Sequence, residues 1–158
     1  MEYTEKITWD GRSLVLKRAV KPTEVLSAQS GEVRIEKLDV NDPSVRPTNQ
    51  DASEGTPLRV YQADGVGVDV SKRCRAPMTF WHRNMEYDEL IFCHKGGMIW
   101  ETELGTITLG PGEMILIPQG VAHRAVPPEG GGENLLVEIK IRPPVRKVFP
   151  PETQDKGG

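Results

Sequence analysis

Two stretches of the chain decide its fold: HRNMEYDELIFCHKG at residues 82–96 and GEMILIPQGVAH at residues 112–123. Each begins or ends on a histidine, and His82 and His123 are two of only three histidines in the chain. The first stretch also carries Glu89 at the start of an apolar run. Two imidazoles and a carboxylate form a donor set that holds one divalent transition metal and leaves coordination positions open. The pattern therefore predicts a metal site formed by His82, Glu89 and His123.

Composition restricts the class of protein. The 158 residues suffice for one domain with its own core, and the net charge of -3 comes without a basic stripe. No apolar run is long enough to cross a bilayer, and the N-terminal MEYTEKITWDG lacks an apolar signal region. Two cysteines without a CxxC spacing are too few for a disulfide framework. We therefore expect a cytoplasmic protein with no nucleic-acid or membrane partner.

Sixteen glycines and thirteen prolines favour short strands joined by turns. Residues 7–20 predict a hairpin that turns at Asp10-Gly11, and the alternation in residues 32–40 predicts a half-buried strand. From residue 58, seven or eight strand signals follow closely, among them MTFWHRN at residues 78–84. The pattern predicts an antiparallel barrel or a double-sheet jelly roll.

The flanking segments are expected to lie outside that barrel. We place N-terminal strands and a Pro-rich loop at residues 1–57, packing on a barrel of residues 58–142, with an extended tail at residues 143–158. Residues 41–57 are interpreted as a surface connection, with a loop over a pocket mouth as the alternative.

The two stretches match spaced motifs of a known family. The first motif has the form G-x5-H-x-H-x(3,4)-E-x6-G; His82, Asn84, Glu89 and Gly96 fall in register, and Ala76 replaces the leading glycine. The second has the form G-x5-P-x-G-x2-H-x3-N; Gly112, Pro118, Gly120 and His123 match it, and Pro127 replaces the final asparagine. Together they resemble the motifs of the cupin superfamily. The resemblance implies an all-β, single-domain cupin, an antiparallel jelly-roll β-barrel with additional N-terminal strands and a dimeric assembly.

Asn84 stands where most cupins carry a second histidine. An amide oxygen is a poor ligand for such a metal, so we expect Asn84 to orient a substrate hydroxyl or a bound oxygen species. The His-Arg-Asn followed by Glu89 resembles homogentisate 1,2-dioxygenase-like proteins, whose catalytic half binds Fe(II) with two histidines and a glutamate. This resemblance implies an Fe(II) dioxygenase acting on a small aromatic or enolic substrate, with Asn84 and Glu89 as catalytic residues.

Other functions remain open at this point. The same ligands suit Zn(II), Ni(II) or Mn(II) in a non-oxidative lyase, cyclase or isomerase. A non-catalytic cupin that binds a small ligand, with His82 and His123 as hydrogen-bonded core residues, is a further alternative.

Strand alternation predicts the surroundings of the ligands. Phe80 shares the parity of His82, and Cys93 shares that of Glu89, so both are expected to line the substrate pocket. His94 is expected on the outer face or in a dimer interface. Three arginines are candidates for binding a substrate carboxylate: Arg73, Arg75 and Arg124. By strand alternation, Arg124 should face away from His123.

Overall fold

The first compact unit of the chain, Met1–Leu38, contains a two-stranded antiparallel hairpin. A computed structural model describes residues 1–20, 35–49, 51, 55–73 and 76–149; in it β1 spans Tyr3–Trp9 and β2 spans Arg12–Arg18. Asp10 and Gly11 form the turn with φ angles of 48° and 68°. Two successive residues in this left-handed region are what a type I′ turn requires. The hairpin predicted from Asp10-Gly11 is confirmed.

The second compact unit, Asp39–Gly158, holds two antiparallel sheets. Its strands are β3 (Leu58–Ala63), β4 (Val66–Ser71), β5 (Asp88–Lys95), β6 (Met98–Thr102), β7 (Gly105–Leu109), β8 (Met114–Ile117), β9 (His123–Val126) and β10 (Leu135–Ile141). The larger sheet has the order β3-β4-β10-β5-β8 and the smaller one β7-β6-β9. The predicted all-β antiparallel jelly roll with additional N-terminal strands is confirmed. Within the described residues, no helix has the length and apolar character needed to cross a bilayer.

Apolar side chains from both sheets form a common core. The cluster joins β5, β6, β7, β8, β9 and β10 through Ile91, Cys93, Met98, Trp100, Leu109, Ile117, Ala125 and Leu136. Full burial of one such large side chain stabilises the fold by about 1.5–3 kcal/mol. Because β10 pairs with both β4 and β5, its inward side chains lie deep between the sheets.

The strand predicted at residues 78–84 does not form. The segment runs beside β9 with a single bridge, between His82 and His123. Around that bridge, Met78 N donates to Ala125 O at 2.9 Å and Gly120 N donates to Asn84 O at 2.8 Å. The segment therefore keeps its position through a few hydrogen bonds and lacks the regular alternation on which the strand prediction relied.

The strand predicted at residues 32–40 is also wrong in its described part. Residues 32–34 lie outside the described residues, and residues 35–40 form no strand. The Asp39 carboxylate instead accepts a hydrogen bond from Asn41 N at 2.9 Å. An aspartate that caps its own turn in this way competes with strand pairing.

Candidate metal and substrate site

A cavity of about 150 Å³ lies between the strands of the second unit. Its walls come from β4, β5, β6, β9 and β10 and from residues 78–84. The three predicted metal ligands, His82, Glu89 and His123, all line this cavity, and so does Asn84. The structure therefore brings together residues that lie up to 41 positions apart in the chain.

The two histidines face each other across the bridge between their segments. His82 N donates to His123 O at 3.1 Å, and His123 N donates to His82 O at 3.0 Å. Their ring centroids are 4.2 Å apart, in an edge-to-face arrangement. Backbone pairing thus fixes the two imidazoles side by side at the cavity wall.

His123 has a defined tautomer because of its backbone neighbour. Its Nδ1 lies 2.9 Å from Val121 O, and since a carbonyl oxygen only accepts, Nδ1 carries a proton. The other nitrogen, Nε2, lies 3.3 Å from Glu89 Oε2. His123 is 1% exposed and Glu89 is 5% exposed, so this ion pair is shielded from solvent. Nε2 is consequently the nitrogen directed at the carboxylate.

The two imidazoles differ in basicity. Burial lowers the pKa of His82, and the charge of His123 acts in the same direction. Burial alone would also lower the pKa of His123, but the Glu89 carboxylate and the Val121 carbonyl outweigh it and raise that pKa above its ordinary value. His123, beside Glu89, therefore holds its proton more tightly than His82 does.

Lys140 occupies the centre of a buried cluster of carboxylates beside the histidines. Its Nζ lies 2.8 Å from Asp69 Oδ2, 3.8 Å from Glu89 Oε1 and 3.9 Å from Glu138 Oε2. The strand register explains the cluster, because Lys140 of β10 lies opposite Glu89 of β5 and Glu138 of β10 lies opposite Asp69 of β4. Arg59 adds a second cation by its hydrogen bond to Asp69.

Two groups of this cluster, Glu138 and Lys140, have pKa values away from their ordinary ones. Burial and the Glu89 carboxylate raise the pKa of Glu138 to about 7, with Lys140 opposing them. Burial alone would lower the pKa of Lys140, but the Glu138 carboxylate and its neighbours raise it. Near neutral pH, Glu138 is therefore able both to donate and to accept a proton.

Three polar side-chain atoms of cavity-lining residues have no hydrogen-bond partner among the described residues: His82 Nδ1, Asn84 Nδ2 and Trp100 Nε1. His123 Nε2 has only the Glu89 carboxylate near it, at 3.3 Å. Buried polar groups in native proteins are normally paired with protein, water or a ligand. Their concentration around one cavity indicates a site built to receive something.

Two predicted ligands have a separation that suits one ion. Ligands about 2.1 Å from a metal lie about 3.0 Å apart at right angles and about 3.4 Å apart at tetrahedral angles. The 3.3 Å between His123 Nε2 and Glu89 Oε2 falls in this interval. Nevertheless, no group of three or more His, Cys, Asp and Glu side chains in the described ranges is arranged, as it stands, to hold a metal ion. The donor types fit one ion, whereas the three side chains as they stand do not have the geometry of a metal site.

Two predicted pocket residues lie elsewhere. Phe80 is 41% exposed and does not line the cavity, although its ring centroid is 6.0 Å from that of His82. Its segment is not a strand, so strand parity does not apply to it. Cys93 is fully buried in the core cluster near the far end of β5, with Sγ 3.5 Å from Lys95 O. It shares the inward parity of Glu89 but lies beyond the cavity.

The three arginines predicted to bind a substrate carboxylate differ in their position relative to the cavity. Arg73 is 5% exposed, lines the cavity and donates from Nη2 to Gly55 O at 2.8 Å. Gly55 and Pro57 line the same cavity, so the end of the segment 41–57 contributes to its wall. Arg124 faces away, as predicted, and donates to Glu101 Oε2 at 2.6 Å. Arg75 lies outside the described residues.

Two other polar residues near the motifs have structural contacts. His94 is exposed, as predicted, with Nε2 3.2 Å from Asn41 Oδ1. Asp88 is 5% exposed and accepts hydrogen bonds from Gln119 N and Val145 N, both at 2.7 Å. It therefore ties the turn before β9 to the C-terminal segment.

Sequence reasoning missed Glu138, Lys140 and Trp100. A signal for the first two was present: Leu136, Glu138 and Lys140 alternate at period two along β10, and all three line the cavity. Charged residues on the inward parity of an otherwise apolar strand indicate a functional interior. Trp100 offered no comparable signal, because an aromatic residue on an inward strand face is ordinary core.

Comparison with known proteins identifies the fold. No family model matches the chain, and no curated protein matches it. A solved protein of unknown function from Rhizobium leguminosarum bv. viciae 3841 aligns with a TM-score of 0.55 at 15% identity, over 70% of this chain and 100% of its own. The chain shares its fold with that protein.

Proteins described as cupins are also among the solved structures that match. A cupin-2 domain protein from Shewanella frigidimarina NCIMB 400 is 24% identical over 55% of this chain and 80% of its own, with a TM-score of 0.47. A cupin domain from Bordetella pertussis Tohama I is 26% identical over 56% of this chain and 93% of its own, with a TM-score of 0.46.

Proposed function

We propose that this protein is a metal-dependent enzyme acting on a small organic substrate in the cavity. The observation that carries the proposal is the setting of His123. Its Nδ1 is held by Val121 O at 2.9 Å, while Nε2 lies 3.3 Å from Glu89 Oε2 beside the His82 ring. A metal-ligating histidine characteristically donates its other N–H to a carbonyl or carboxylate, which fixes the ring for the ion.

In this proposal His82, Glu89 and His123 would hold the ion. Binding would displace the proton from His123, since only a deprotonated imidazole nitrogen is a ligand. The three side chains would have to rearrange around it, because they do not form a finished ligand set as they stand. Glu89 would meanwhile exchange part of its interaction with Lys140 Nζ, now 3.8 Å from Oε1, for the metal.

The specific reaction we favour is that of an Fe(II) dioxygenase on an aromatic or enolic compound. Two histidines with one carboxylate are the donor set of non-haem Fe(II) oxygenases. When bound, Fe(II) would supply open positions through which substrate and dioxygen exchange electrons. Asn84 would donate from its unpaired Nδ2 to a substrate oxygen, and the buried walls of the cavity would exclude bulk water.

A specific observation also favours a second candidate, a non-oxidative lyase, cyclase or isomerase using Zn(II), Ni(II) or Mn(II). Glu138 lines the cavity with a pKa raised to about 7 by burial and by Glu89. A carboxyl group that titrates near neutral pH is suited to general acid-base catalysis. Such a group is expected where a proton moves between carbon or oxygen atoms of the substrate.

Dioxygen dependence separates the two candidates. Fe(II)-reconstituted protein would be screened with catechols, hydroquinones and enols by an oxygen electrode, with product followed in parallel. The dioxygenase proposal expects dioxygen uptake that matches product formation and ceases under anaerobic conditions. Product formation that continues without dioxygen would reject it in favour of proton-transfer chemistry. The matched variants are Glu89→Gln, expected to be inactive, and Glu129→Gln, an exposed carboxylate expected to leave turnover unchanged.

A further inference from the structure

The indole N–H of Trp100 is a buried donor without a partner. Trp100 is 4% exposed, lines the cavity, and its Nε1 has no hydrogen-bond partner in the described part of the chain. An indole nitrogen can only donate, so reorienting the side chain cannot turn it into an acceptor. Buried tryptophan N–H groups normally find an acceptor. Because Trp100 is part of the cavity wall, a ligand bound there is the candidate acceptor.

Trp100 stands next to the proposed reaction centre. Its ring centroid lies 5.7 Å from that of His123, and it pairs across the sheet with Ala125, two residues after that histidine. The amide of Asn84 presents a second unpaired donor, Nδ2, at the same cavity. Both uncharged donors therefore belong to residues that line the same cavity as the histidine pair.

The charges at the cavity indicate which acceptor is preferred. Lys140 Nζ already lies within 3.9 Å of carboxylate oxygens of Asp69, Glu89 and Glu138. Arg59 pairs with Asp69 and Arg73 interacts electrostatically with Glu138, so three cations face three carboxylates around the cavity. The atoms without a hydrogen bond include the uncharged donors of Asn84 and Trp100. A neutral carbonyl oxygen satisfies an uncharged donor without adding a further buried charge.

The volume sets the size of the ligand. A cavity of about 150 Å³ is comparable to one that accommodates a single benzene molecule. We propose that the cavity binds a neutral, ring-sized carbonyl compound whose oxygen accepts a hydrogen bond from Trp100 Nε1. Trp100 is then a specificity-determining residue. The inference rests on the proposed function, because it takes this carbonyl compound as the substrate class of the enzyme.

Two probes of nearly equal shape test the inference. Cyclohexanone carries a carbonyl oxygen where methylenecyclohexane carries a CH₂ group. In ¹⁵N-labelled protein, the indole resonance of Trp100, assigned by its loss in Trp100→Phe, should move on addition of cyclohexanone and stay in place with methylenecyclohexane. Trp100→Phe should weaken cyclohexanone binding by about 3- to 10-fold, the range for one neutral hydrogen bond. Methylenecyclohexane binding should change less than about twofold.

Trp81→Phe is the matched control, because Trp81 is 48% exposed and stacks with Arg124. It should change neither affinity. The inference is overturned if the Trp100 indole resonance ignores cyclohexanone, if both probes bind the wild type equally, or if neither binds. If Trp100→Phe fails to fold, Trp81→Phe and Trp9→Phe assign the other two indole resonances, which leaves the third to Trp100. The titration of wild-type protein with the two probes then decides the question alone. Iron content, measured separately, tests the proposed function: a cyclohexanone response in a protein that binds no metal would reject the enzyme and keep the ligand class.

Discussion

Replacing Glu138 by glutamine should stabilise the metal-free protein much more at alkaline pH than in acid. Glu138 is 7% exposed and lies among Asp69, Glu89 and Lys140. On folding, the Glu138 carboxylate leaves water for a site where Lys140 attracts its charge and Asp69 and Glu89 repel it. Glutamine keeps the shape of the protonated side chain and removes the cost of that charge.

The magnitude follows from the shifted titration. Burial and Glu89 raise the pKa of Glu138 from 4.5 to about 7, so the folded state holds this proton more tightly than the unfolded chain. The stability gained from the protonated group is complete below the unfolded pKa and is lost as the pH rises toward the folded pKa. Over that interval the loss amounts to about 3 kcal/mol.

Urea unfolding of chelator-treated protein at pH 5 and pH 8 provides the assay. Relative to wild type, Glu138→Gln should be more stable by about 1 kcal/mol at pH 5 and by about 3 kcal/mol at pH 8. Glu129→Gln, which removes an exposed carboxylate, is the control for the loss of one negative charge. An equal difference at both pH values, or a variant less stable than wild type at pH 8, would refute the reasoning.

Three further substitutions test the packing around the site. Lys140→Met should destabilise the fold by about 3 kcal/mol in urea unfolding, because it leaves buried carboxylates without their central cation. The control Lys17→Met, at an exposed ion pair, should cost less than about 1 kcal/mol. Equal costs for the two variants would contradict this prediction. Gly96→Ala should lower stability by at least about 1 kcal/mol more than Gly112→Ala in the same assay. Both glycines have positive φ, but only an added Cβ at Gly96 meets backbone atoms, at 2.9 Å; similar values for the two would reject that contact. Ile91→Ala should cost about 2–5 kcal/mol from the fully buried core, and a cost below about 1 kcal/mol would show that the core repacks.

Much of the fold could be predicted from local signals. Asp10-Gly11 specifies its hairpin because the turn needs two left-handed residues, and that requirement is local. The spacing within the two motifs was also enough to predict that His82, Glu89 and His123 line one cavity. In both cases the information lies in short stretches of sequence.

What depended on pairing between distant segments was harder to predict. Residues 78–84 have a strand-like composition but only one bridge, so Phe80 turns outward. The Lys140 cluster arises from the register of β10 against β4 and β5, which the sequence of β10 alone does not contain. Period-two alternation identifies two faces of a strand, but the assembled sheet decides which residues of each face reach the cavity.

The most direct test of the central claim is the metal content of the protein after anaerobic reconstitution with Fe(II) and gel filtration. Elemental analysis would compare wild type, His82→Ala, His123→Ala and the matched control His94→Ala, whose imidazole is exposed on the outer face. The proposal predicts near-stoichiometric iron in wild type and His94→Ala, and its loss in the two cavity variants with the fold retained. Full iron in His123→Ala, or none in wild type with any divalent metal offered, would contradict it.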